Sequence, residues 1–187
     1  MPRKANLSRE LIAQTAFEIL RTEGYDNLNA RYLAQRLEIS TMPLFHYFEN
    51  MDEIKAEAVR LGAEKYVAYM RAGMEEPIPF KGTGRAYIKF AKDEPRLFAL
   101  FFMTADGKIK ELPCEDPITP EACGIASEIM NGNRDDGSRL LKNMWLVVHG
   151  IATLEATGKM SFSDEEMSEI LSETFVALKM KMEGENK

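Results

Sequence analysis

Apolar residues in the first fifty positions recur at intervals of three and four, the period of amphipathic helices. Ile12, Ala16, Ile19 and Leu20, with Ala13 and Phe17, form one stripe. Ser8 stands before it as a cap, with Leu7 and Ile12 as a hydrophobic staple, and Gly24 follows as a residue suited to a helix end. A second set, Leu33, Ala34 and Leu37, follows Asn29, whose side-chain oxygen can accept an amide proton of the next turn. Leu28 and Leu33 staple that start. Glu38-Ile39-Ser40 reads as a tight turn, with Ser40 as a further cap and Pro43 in the first turn of another helix. Leu44 and Phe48 are four apart and face inward. At about 100° per residue, Met42 and His46 then point outward, with Phe45 and Tyr47 on the flanks.

The same patterning continues. Asn50, with Glu53 completing a capping box, opens a long helix to about Met74. Residues 75–84, with Pro77, Pro79, Gly82 and Gly84, predict a break. A helix bearing Ala86, Tyr87, Phe90 and Ala91 comes next, and Pro95 opens another. In that one Leu97, Phe98, Leu100, Phe101, Phe102 and Met103 cover nearly every direction, as in a helix that is buried all round or lines a cavity. Residues 104–119 predict a long irregular stretch, and residues 121–130 a short helix closed by the turn-rich NGNRDDG. Helices over about 138–157 and 163–181 complete the chain, the last with a full capping box beginning at Ser163.

Composition narrows the class. With 45% hydrophobic and 29% charged residues the chain reads as globular, and no apolar run approaches a membrane span or a signal-peptide core. An intracellular, cytoplasmic protein is expected. Cys114 and Cys123 fit a reducing compartment, and neither thiol is marked as activated. The net charge of −6 is unevenly spread. Residues 1–50 hold six Lys/Arg and six Asp/Glu, so the remaining 18 Lys/Arg and 24 acids carry the whole imbalance. A neutral front predicts few phosphate contacts and a shallow salt dependence if it binds nucleic acid.

Chemistry for catalysis is missing from the sequence: no Gly-rich phosphate loop, no paired-cysteine metal spacing and no H-E-x-x-H occurs. The two histidines, His46 and His149, are about a hundred residues apart with no nucleophile motif near either. An enzyme is not expected, and neither a metal nor a cofactor is called for.

On geometry, residues 29–48 suit either an ordinary helical hairpin or a helix-turn-helix whose second helix enters the DNA major groove. The run LIAQTAFEILRTEGYDNLNARYLAQRLEISTMPLFHYFENMDEI resembles the N-terminal domain of the TetR (tetracycline-repressor-like) family of transcriptional regulators. Trp145, His149 and Gly150 in WLVVHGIATL resemble the C-terminal domain of one large branch of that family. Three positions depart from the usual pattern: Glu38 replaces a Gly, Phe45 a Tyr and Met51 a Lys. The first strains the turn if positive φ is needed there, and the other two remove groups that can serve phosphates.

The resemblance implies an all-α protein with a DNA-binding domain over 1–50 and an effector-binding and dimerisation domain over 51–187. It implies a sequence-specific regulator, most often a repressor, that is released by a small, mostly apolar ligand and dimerises through the last two helices. Thr41, Met42, Pro43 and His46 are expected at base edges, Phe45 in apolar contact, as with a thymine methyl, and Ser40 among the DNA-binding residues. Arg31, Tyr47 and Lys55 are expected to serve phosphates. Phe90, Phe98, Phe102, Met103, Trp145 and His149 are the expected effector contacts. The alternative is a helical protein-interaction module that has lost operator binding, in keeping with the neutral front and with Phe45 and Met51.

Overall fold

The computed structural model describes residues 7–103 and 118–185. Among them lie eight α-helices, two short 3-10 segments and no strand. They group into two compact units: residues 7–65 with 96–103, and residues 66–95 with 118–185. Helix α3 (Met51–Met74) contributes residues 51–65 to the first unit and 66–74 to the second.

In the first unit, α1 (Arg9–Glu23) starts where expected, with the Ser8 side chain accepting from the Leu11 N–H. It ends at Gly24, whose φ of 95° puts it outside the range ordinary side chains favour. Ile12, Ala16, Ile19 and Leu20 are buried, as their spacing requires. A 3-10 turn (Tyr25–Asn27) that the periodicity does not show leads to α2 (Ala30–Arg36). There Asn29 accepts from the Tyr32 N–H at 3.1 Å. The short α5 (Pro95–Phe102) closes the unit: a Cβ on Gly62 of α3 would meet Leu97 and Phe101 at 3.1–3.2 Å. The Arg96 guanidinium also donates to the Glu23 carbonyl.

The second unit contains α4 (Pro79–Asp93), α6 (Ile118–Ile129), α7 (Arg134–Ala156) and α8 (Asp164–Glu185), with α7 packed against the other three. The expected break is shorter than its glycines suggest, because Gly82 and Gly84 lie inside α4. Gly82 serves a close helix crossing, since a Cβ there would lie 2.1 Å from the Gly73 carbonyl oxygen. Helix α7 begins four residues before the predicted Ser138. Asn133 caps it by accepting from the Asp135 and Asp136 N–H groups, and those two acids favour its positive end. Helix α8 has the predicted capping box: Ser163 Oγ accepts from the Glu166 N–H, and the Glu166 carboxylate accepts from the Ser163 N–H. The helix predicted over 121–130 starts at Ile118, while most of the irregular stretch predicted at 104–119, including Cys114, lies outside the described residues.

Candidate functional site

The site begins with the turn after α2. Glu38 has a φ of 56°, the left-handed conformation that glycine adopts without cost. Its N–H donates to the Gln35 carbonyl and the Ile39 N–H to that of Ala34, so the chain reverses sharply. The segment after the turn is not an α-helix capped by Ser40. It is a 3-10 helix over Met42–His46, entered through Thr41 with no side-chain cap. Pro43 withholds an amide proton, and the Leu44 N–H and Tyr47 N–H reach only three residues back, to the Thr41 and Leu44 carbonyls.

Facing is as the pattern requires. Leu44 and Phe48 are buried, whereas Met42 is 69% exposed and Phe45, His46 and Tyr47 are exposed beside it. Two helical elements at a tight turn, the second with an open outer face, define a helix-turn-helix. Ser40 is also exposed, and Thr41 and Pro43 are half-buried.

A clamp that the periodicity does not reveal holds this segment. The Arg9 guanidinium lies 4.1 Å from the centre of the Phe48 ring, donates to the Tyr47 carbonyl and pairs with Glu53 at 2.6 Å. The hydrogen bond from Arg9, and then one from the Glu49 N–H, hold the Glu53 carboxyl below its ordinary pKa. Glu53 therefore caps α3 through Glu49, one residue before the expected Asn50, while Asn50 accepts from the Glu53 N–H. The Tyr47 hydroxyl donates to the Leu7 carbonyl at 2.9 Å, so a phosphate contact would have to use its oxygen lone pairs or replace that bond. Arg9 carries no helix-period signal. Only the sequence-distant Glu53 and Phe48 give it a role.

The nearby cations are largely engaged. Arg36 pairs with Glu23 at 2.6 Å, and Lys55 lies 4.6 Å from the centre of the Tyr25 ring. Arg31, on α2, is exposed. Arg3 and Lys4 lie outside the described residues.

The six expected effector contacts fall into the two units. Phe98, Phe102 and Met103 belong to the first, where the Phe98 and Phe102 rings lie 5.2 Å apart. Phe90, Trp145 and His149 belong to the second. There Trp145 stacks on His149 at 4.9 Å, and the Tyr87 hydroxyl shares a hydrogen bond of 3.0 Å with His149 Nδ1. Burial lowers the His149 pKa, which favours the neutral ring. Tyr66 packs edge-on to both Tyr87 and Phe90. At helical spacing Tyr66 and Tyr87 read as ordinary core residues, so the sequence alone does not mark them as part of this cluster.

The fold and the turn place the molecule among helix-turn-helix proteins. Residues 80–178, more than half of the chain, match the family described as tetracyclin repressor-like, C-terminal domain. This chain is therefore a member of the TetR family of transcriptional regulators. It is 24% identical over 171 residues to the uncharacterized HTH-type transcriptional regulator Rv0681 of Mycobacterium tuberculosis, covering 88% of this chain and 77% of that one. Two crystal structures share the fold. SCO4313 superposes with a TM-score of 0.59 at 21% identity, covering 91% of this chain and 94% of its own. The Streptomyces coelicolor TetR family protein ActR, solved in complex with (S)-DNPA, gives 0.53 at 18% identity, covering 93% and 98%.

Proposed function

We propose that this chain is a cytoplasmic, homodimeric repressor that binds an operator through Ser40–Tyr47 and leaves it when a small, mostly apolar effector binds. The observation that carries the reading is the exposed face of Met42, Phe45, His46 and Tyr47, held over a buried Leu44 and Phe48 by the Arg9 clamp. A solvated helix face has no need of such residues, whereas a groove floor with apolar and polar edges matches them. Thr41, Met42, Pro43 and His46 approach base edges, Ser40 lies at the rim, and Arg31, Tyr47 and Lys55 serve the backbone.

Dimerisation is supported by the apolar groups left open on α7 and α8: Trp145, Leu146, Val176 and Met180 are all exposed. A two-fold pairing of these helices would set the spacing between half-sites. For the effector, the cluster of Tyr87, Trp145 and His149 offers flat apolar surfaces beside polar atoms, a usual composition for a small-molecule site. ActR, solved with a bound ligand, has the same fold. Phe90, in the same unit, completes the proposed contact set. The effector acts only if it binds the DNA-free arrangement more tightly than the DNA-bound one.

The test is fluorescence anisotropy of the purified protein on DNA from its own upstream region, over a salt series. Sequence-selective binding with a shallow salt slope, lost in a Met42→Ala/His46→Ala double variant, is the expected result. Binding no better than to random DNA, for this region and for any duplex enriched from a random pool, would favour the interaction-module reading. The engagement of Arg9 and Arg36 with carboxylates speaks for that second reading.

A further inference from the structure

We infer that the recognition segment reads thymine C5-methyl groups, and that these apolar contacts, rather than hydrogen bonds to base edges, carry most of its sequence discrimination. The inference rests on the DNA-binding reading above. In the major groove, guanine is read by Arg or Lys, adenine by Asn or Gln, and cytosine by Glu or Asp. The C5-methyl of thymine is the apolar feature of that surface. Residues 40–48, STMPLFHYF, contain none of those six side chains; Ser40 and Thr41 can hydrogen-bond a base edge but do not by themselves select one base.

What the segment exposes is the Ser40 hydroxyl, a thioether, a phenyl ring, an imidazole and the Tyr47 phenol, whose hydroxyl donates to the Leu7 carbonyl, with a partly open pyrrolidine among them. Met42 and Phe45 are three residues apart in a 3-10 helix of about three residues per turn, so they stand on one edge of the segment. Several neighbouring residues that could have supplied a hydrogen-bonding reader are committed elsewhere, and the exposed Arg31 lies on α2, outside the segment. Arg9 holds Glu53 and the Tyr47 carbonyl, and Arg36 holds Glu23. Asn29 and Asn50 cap α2 and α3 through their carbonyl oxygens. Gln35 is exposed but lies on α2, the helix that crosses the backbone in this motif.

A methyl reader must also distinguish thymine from uracil, which pairs identically and lacks only that group. The duplex most enriched by the full-length protein from a random-sequence pool is therefore synthesised twice, with thymine and with uracil in its half-sites. The wild-type protein should bind the uracil duplex more weakly, by about fourfold for each contacted methyl. A Met42→Ala/Phe45→Ala variant should bind both duplexes alike. Both side chains are exposed, so its circular dichroism and melting should match wild type.

Equal wild-type affinity for the two duplexes would overturn the inference while leaving DNA binding intact. So would a thymine preference that persists unchanged in the double variant, which would place the discrimination in DNA shape. Enriched half-sites without thymine would overturn it directly. Enrichment of no sequence at all would overturn the DNA-binding reading and this inference with it.

Discussion

Glu38 shows what a single residue costs at the turn. A β-carbon in the left-handed region is unfavourable by roughly 1–2 kcal/mol, and Glu38 adopts that region with a φ of 56°. Glu38→Gly relieves this but adds flexibility to the unfolded chain, worth roughly 0.5–1 kcal/mol in the opposite direction. A net gain of about 0.5–1 kcal/mol is expected in urea denaturation, and a loss would show that the glutamate makes a compensating interaction. His149 supplies a second expectation. Burial lowers its folded pKa below the ordinary value, so over that interval the unfolded chain binds more protons. Stability should therefore fall as pH drops through about 6.5 and level off below the folded pKa. His149→Gln should flatten this slope in denaturation curves collected between neutral pH and the onset of carboxylate titration.

At the scale of elements, glycine has opposite meanings in two helices. Gly82 lets α4 cross α3, and a β-carbon there would strike the Gly73 carbonyl. Gly82→Ala should cost about 1–3 kcal/mol through overpacking, despite the higher helix propensity of alanine. In α6, a β-carbon on Gly124 meets nothing within 4 Å. Gly124→Ala should stabilise by up to about 1 kcal/mol. Thermal melts of the two variants should move in opposite directions, and a shared direction would contradict the packing assigned to Gly82. The segment proposed to meet DNA is a comparable case. Pro43 and the three-residue hydrogen bonds around Leu44 make it a 3-10 helix, although its outward and inward faces follow the helical pattern.

At the scale of the whole molecule, the proposed operator binding depends on association. The exposed Trp145, Leu146, Val176 and Met180 lie on the two helices proposed to pair. A Leu146→Glu/Val176→Glu variant should retain its helical circular dichroism, because both side chains are already open to solvent. It should sediment as a monomer and lose most of its operator affinity, since each half-site would then be bound alone. A variant that still sediments as a dimer would move the interface away from α7 and α8.

Much of this protein is legible in its sequence because local chemistry leaves a periodic trace. Ser8, Asn29, Asn133 and Ser163 each cap a helix through their own side chains, and three of them stand at boundaries visible from spacing alone. The inward Leu44 and Phe48, and the outward Met42 and His46, follow from helical geometry without reference to the rest of the chain. The TetR family likeness was carried by the same runs. What depended on contacts distant in sequence was not legible. Arg9 acquires its role only when Glu53, 44 residues away, and Phe48 come beside it. The 82-to-73 crossing turns an apparent breaker into a packing residue, and Tyr87 becomes a partner of His149 only across 62 residues. Spacing records what one helix does with its own backbone and water, whereas tertiary structure decides which distant side chains share a charge, a ring or a point of contact.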